Sequence, residues 1–199
     1  MKRRSFEQLL ERAASQHGFV RPTDADDVGV SKVYLRKLAS VGRAEHRGHG
    51  LYRITALPVT PLDEYHEAVL WAGDGAAIAG QSALALWELA DVNPRQIEVV
   101  VPAGRRVRRK NPGRYRVRTE ALADRDIDFV DGIPVVTPDV AIRQVIDDGL
   151  EGTLIQQAIT GGRGRNMFNP LAEARLRVAL ADRNQKVHGT IRANRKVSS

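Results

Sequence analysis

The chain of 199 residues contains no cysteine. Structural disulfides and thiolate metal sites are thereby excluded, and the composition suits a reducing compartment such as the cytoplasm. Aromatic residues make up only 5% of the sequence and methionine occurs twice, so any core must be built mainly from Ala, Val, Leu and Ile. No apolar run approaches the roughly 20 residues that a membrane-spanning helix needs. The N-terminal MKRRSFEQLLERAA is basic but has no long apolar centre, and it reads as an amphipathic helix rather than a signal peptide. Between residues 101 and 118 acidic side chains are missing altogether.

What is present is positive charge in blocks. The net charge is +7 and the sequence pI about 10.1, a balance that favours a polyanionic partner. Residues 1–54 carry +5, 55–100 carry −6, 101–118 carry +8, 119–160 carry −7 and 161–199 carry +7. Such alternation implies distinct faces with distinct partners, or blocks that pair with one another inside the molecule.

The stretch from His17 to Thr55 has the strongest pattern. Gly18 breaks a helix expected over Ser5–Gln16, whose Phe6, Leu9, Leu10 and Ala13 share one face. Phe19-Val20 is a brief extended pair. Thr23 and Asp26 have capping-box spacing for a short helix to Val28, and Gly29 suits its left-handed end. Ser31 is placed to cap a second helix over about Lys32–Val41. Tyr34, Leu35, Leu38 and Val41 would face inward, and Lys32, Val33, Arg36, Lys37 and Ser40 outward, with no acid among the latter. Arg43–Arg47 and Leu51–Ile54 read as strands around a Gly48-His49-Gly50 loop. Helix, turn, basic helix and glycine-tipped hairpin is the order of a winged helix-turn-helix, which reads the major groove with its second helix. Base contacts are expected from Ser31, Lys32, Val33 and Arg36, and phosphate contacts from Lys37, Arg43, Arg47 and His49. A solvated basic helix face on a small core is the bland alternative.

The rest of the chain reads as a second domain. ALPVTP, residues 56–61, looks like a linker, dividing residues 1–56 from a mixed α/β domain over 61–182. A helix opened by Thr60 and Pro61 should bury Leu62, Tyr65, Val69 and Ala72. Gly73-Asp74-Gly75 ends it, Ala76–Ala79 is a short apolar stretch, and Gln81–Ala90 a largely apolar helix. Ile97–Pro102 and Tyr115–Thr119 read as partner strands joined by a basic hairpin loop with an Asn111-Pro112-Gly113 turn. Ile127–Val130 and Ile133–Val136 flank Asp131-Gly132, a hairpin signal. A helix from Pro138 to about Asp148, another around Leu154–Ile159, a GGRGRN loop and a helix from Pro170 to about Asp182 follow. The basic residues 183–199 read as a mobile tail. The fold class is α+β, with antiparallel strands expected in the second domain.

Searches for chemistry return little. His46 and His49 lack a nearby carboxylate that would complete a metal site. Gly73-Asp74-Gly75 is not a dinucleotide fingerprint, and Gly161–Gly164 lacks the Lys-Ser/Thr of a phosphate-binding loop. No serine occupies a nucleophile elbow. The sequence therefore assigns no catalytic residue, cofactor or metal.

GVSKVYLRKLASVGRAEHRGHGLYRIT, QSALALWELADVNPRQIEVVVPAG and DGIPVVTPDVAIRQVIDD together resemble the AbiEi antitoxin family of type IV toxin–antitoxin systems, over roughly residues 5–150. At Ala141-Ile142-Arg143 the chain departs from the Thr-Leu-x-Asp run usual there. The resemblance implies an N-terminal domain that binds operator DNA and represses its own operon. It also implies a C-terminal domain that counters a nucleotidyltransferase-like toxin. The alternatives are a non-enzymatic protein-interaction module that uses the winged helix for docking, or an unrelated winged-helix transcriptional regulator.

Overall fold

A computed structural model describes residues 2–108 and 113–197. Arg109, Lys110 and most of the expected Asn111-Pro112-Gly113 turn lie outside them. Helix α1 (Lys2–Ala14), strand β1 (Phe19–Val20), α2 (Pro22–Asp27), α3 (Lys32–Ser40), β2 (Ala44–Gly48) and β3 (Leu51–Ile54) come first. The three strands form an antiparallel sheet in the order β1-β3-β2. One apolar cluster belongs to this part, with Leu9, Val20, Val30, Leu35, Leu38 and Ile54 at its centre.

Two glycines set the path between the helices. After α2 the Val30 N–H returns to the Ala25 carbonyl (2.7 Å) and the Gly29 N–H to Asp26 (2.9 Å). After α3 Arg43 bonds back to Leu38 (2.9 Å) and Gly42 to Ala39 (3.2 Å). Both are Schellman closures, which need a left-handed residue; Gly29 and Gly42 have φ of 69° and 72°. The start of α2 differs from the expected Thr23–Asp26 box. Pro22 takes the first helical position, and the Asp24 carboxylate accepts from the Arg21 backbone N–H at 2.7 Å. Proline needs no donor there and holds Arg21 extended, which moves the cap back two residues. Val41, expected inside, is 59% exposed, because the chain leaves the helix at that residue.

The second part contains α4 (Asp63–Ala72), β4 (Ala77–Ile78), α5 (Gly80–Leu86), β5 (Ile97–Pro102), β6 (Tyr115–Glu120), β7 (Ile127–Val130), β8 (Ile133–Val136), α6 (Pro138–Asp147), α7 (Gly152–Gly164) and α8 (Pro170–Val197). Its five-stranded sheet has the order β6-β5-β4-β8-β7. A separate apolar cluster gathers around Ile78, Val99, Val135, Ile142 and Ile159. β7 and β8 form the expected antiparallel hairpin, with Val130 opposite Ile133. β5 and β6 do not: they run parallel, with Ile97 opposite Tyr115 and Pro102 opposite Glu120. The basic segment between them is a crossover, not a hairpin loop, and its dozen residues are about the minimum such a connection needs.

Four further boundaries differ. α4 starts at Asp63, not Pro61, and Asp63 caps in the reverse sense, accepting from the Thr60 N–H (3.1 Å) and hydroxyl (2.7 Å). α5 stops at Leu86, with Glu88 in the left-handed region and Leu89 folded back into the core. Gly161–Gly164 belongs to α7, not to a loop; a Cβ on Gly162 would stand 2.3 Å from the Phe168 ring, so this glycine allows close approach. α8 continues past Asp182 to Val197.

Buried polar groups tie the second part together. The Gln144 side chain, fully buried, accepts from the Gly80 N–H (2.9 Å) and donates to Glu120 (2.8 Å). Glu98 is buried beside Gly80, and burial pushes its carboxyl pKa up against the lowering effect of Arg116. Gly80 has φ 54°, and a Cβ there would lie 2.3 Å from Glu98 Oε2. Gly80→Ala is therefore expected to destabilise the protein by about 1–3 kcal/mol, measured as a lowered urea midpoint. A midpoint unchanged from the parent would contradict this packing.

Candidate nucleic-acid interface

The outward face of α3 is built from its cap onward. The Ser31 hydroxyl oxygen accepts from the Tyr34 N–H at 3.3 Å, fixing where the helix begins. Leu35 and Leu38 anchor the opposite side in the first core. Ser31, Lys32, Val33, Arg36 and Lys37 are consequently all exposed, and no acid interrupts them. Val33 is 70% exposed, an apolar group set among cations. A face of this kind supplies hydrogen-bond donors for base edges and an apolar surface for a thymine methyl group.

Arg43, also exposed, starts the approach to the hairpin and lies over the Phe6 ring, 3.8 Å from its centroid. The hairpin is tighter than expected: Gly48 pairs with Leu51, leaving His49 and Gly50 as a two-residue turn with φ of 51° and 78°. Positive φ at both positions matches the twist of the strands. His49 is exposed at this tip, while the His46 ring packs on Tyr52 at 4.9 Å. Arg47 departs from the group. The register shifts between His46 and Gly48, and the Arg47 guanidinium meets Glu67 (Nη2–Oε2 3.0 Å) and Glu45 (3.0 Å).

Glu67 belongs to a polar seam between the two cores that the sequence reading missed. Arg53 bonds to Asp63 (3.0 Å) and to the carbonyls of Leu57 and Pro58. Arg21 reaches Asp74 (3.4 Å), and His17 Nε2 lies 2.7 Å from the Asp131 carbonyl. The His66 ring is stacked on Phe19 at 6.1 Å and meets the His17 ring at a tilt, 5.0 Å away. A signal did exist. Asp63, His66 and Glu67 occupy i, i+3 and i+4 on α4, so polar residues stand where an apolar stripe would be expected.

Away from this seam, a cleft of about 650 Å³ opens on the second sheet, lined by residues including Ala77, Val100, Leu122, Phe129 and Pro134. Among the described residues no group of three or more His, Cys, Asp or Glu side chains is arranged to hold a metal ion, and no helix is long and apolar enough to cross a membrane.

The N-terminal module thus consists of three helices and a tight antiparallel hairpin, with one acid-free helix face turned outward. Residues 7–55 match the family model described as a transcriptional regulator, AbiEi antitoxin. The resemblance read from the sequence is thus upheld for this segment. No curated protein matches the chain. A solved structure of the RV2827C protein from Mycobacterium tuberculosis is similar, with 15% identity, 90% of this chain and 77% of that chain covered, and a TM-score of 0.49.

The seam generates a pH prediction. His66 is buried and neither ring nitrogen has a hydrogen-bond partner among the described residues. Burial drives its pKa from 6.5 down to about 4; the charges of His17 and Arg21 add to the shift, and Asp63 and Asp24 oppose it. The folded state keeps this base neutral where the unfolded chain takes up a proton. Its contribution is therefore intact above pH 6.5 and is lost as pH falls toward 4. The full effect is on the order of 3 kcal/mol. His66→Leu should flatten the pH dependence of the urea midpoint across this window. A slope equal to that of the parent protein would show that His66 does not titrate as described.

Proposed function

We propose that this protein is a winged helix-turn-helix autorepressor and the antitoxin of a type IV toxin–antitoxin operon. The observation that carries the DNA-binding reading is the outward face of α3, where Lys32, Val33, Arg36 and Lys37 are all exposed and no acid intervenes. α3 enters the major groove of double-stranded operator DNA. Ser31, Lys32, Val33 and Arg36 meet base edges, and Lys37, Arg43 and His49 meet phosphates. The reading places the protein in the cytoplasm and assigns it no catalytic residue. The AbiEi match over residues 7–55 supports it.

Lys32→Ala combined with Arg36→Ala tests the docking. Losing a bidentate base contact should cost about 1–3 kcal/mol and relax specificity at that position. Binding to the DNA upstream of the protein's own gene is the measurement; unchanged affinity with unchanged salt dependence rules this docking out. A second reading, a protein-docking module, draws on the apolar cleft and its 63%-exposed Phe129. Footprinting separates the two. Protection of paired repeats supports the repressor, and weak protection without sequence preference that vanishes with salt supports docking.

Residues 1–56 act as the DNA-binding domain and residues 61–199 carry antitoxicity against a nucleotidyltransferase-like toxin encoded alongside. Separate apolar clusters on the two sides of residue 61 support this division. Co-expression with that toxin tests it: the 61–199 fragment, soluble at the level of the full chain, should restore growth. Failure to restore growth at that level, with full-length protein succeeding, would overturn the division.

A further inference from the structure

The shift in register beside Arg47 has a specific result. Here the Arg47 guanidinium lies across Glu67 as a fork, with Nη2–Oε2 at 3.0 Å and Nε–Oε1 at 3.4 Å. Arg114, just ahead of β6, takes the same carboxylate through Nη1–Oε1 at 3.2 Å. The Glu67 side chain is only 5% exposed. A carboxylate so placed depends on its cations, because breaking a buried pair leaves an uncompensated charge. The wing loop itself rests on the same helix: Gly48, His49 and Leu51 line a small cavity with Glu67, Leu70 and Trp71.

We infer that Glu67 is an acidic clamp that keeps Arg47 off the DNA. The inference rests on the DNA-binding reading above and concerns the regulation of that interface. Arg47 stays on Glu67 in the operator complex. The wing meets phosphate through His49 and the residues around it, at a position set by α4. Without the carboxylate Arg47 becomes one more mobile cation beside the duplex. The clamp thereby lowers sequence-independent affinity while leaving base readout by α3 intact.

The test uses the full chain, the duplex from upstream of its own gene and an unrelated duplex of equal length, across a salt series. Glu67→Gln should tighten binding to both duplexes by about 3–10-fold and steepen the dependence of log affinity on log salt by about 0.9, the increment for one added phosphate contact. Arg47→Ala alone should change operator affinity by less than about twofold, since that contact is not made, and should abolish the gain when combined with Glu67→Gln. The clamp is overturned if Arg47→Ala alone weakens binding tenfold or more and flattens the salt dependence by about 0.9, because Arg47 would then be on phosphate in the parent complex. It is equally overturned if folded Glu67→Gln binds as the parent does. Should Glu67→Gln fail to fold, the Arg47→Ala measurement decides alone. Lys32→Ala with Arg36→Ala, run in parallel, tells the two failures apart. If that variant loses operator binding while folded Glu67→Gln behaves like the parent, only the clamp is wrong. If it too binds normally, the DNA-binding reading fails and the clamp falls with it.

Discussion

The burial of carboxylates on α4 is the constraint from which much of the molecule follows. Asp63 and Glu67 lie almost wholly out of solvent, where an unpaired charge is strongly destabilising. Each is answered by arginine from the other core: Arg53 to Asp63 and Arg47 to Glu67. Arginine suits this role because its planar fork can satisfy both oxygens of a carboxylate. The requirement that these groups meet sets how the first sheet lies on α4. The attitude of α3 follows, since α3 is joined to that sheet through its own core residues.

The charge blocks of the sequence acquire a meaning here. Arg21, Arg47 and Arg53 of the first positive block bind Asp74, Glu67 and Asp63 of the first negative one. Arg116 and Arg118 of the next positive block bind Glu98 and Asp148. Part of the alternation is therefore internal compensation. The exposed face of α3 stands apart from it, which gives its cations more weight than the overall net charge does.

Legibility followed distance along the chain. Ser31 as a cap, the glycine closure after α2, the β2–β3 and β7–β8 hairpins and the start of α6 at Pro138 are local patterns, and the structure reproduces them. Pairing direction is not local. YRVRT has the same alternation whether β6 runs parallel or antiparallel to β5, and only the crossover decides. The GGRGRN segment was misread because glycine signals flexibility in isolation, whereas Gly162 serves the approach of Phe168. Of the candidate interface, the face of α3 could be read because a surface face needs no partner to be recognised. The turning of Arg47 could not, because it depends on Glu67, 20 residues away, and on a register shift that no single residue announces.

β4 is only two residues long, yet it occupies the centre of the second sheet, paired with β5 on one side and β8 on the other. The register of Ile78 with Val135 cannot form until the chain has grown beyond β8. Among the described residues, the first core by contrast draws on none after Leu57. During synthesis the N-terminal module can thus assemble while the sheet behind it is still waiting for its last strand. Until then β4 can pair with β5 but keeps its β8 side open, an apolar edge of the kind that invites association with other chains.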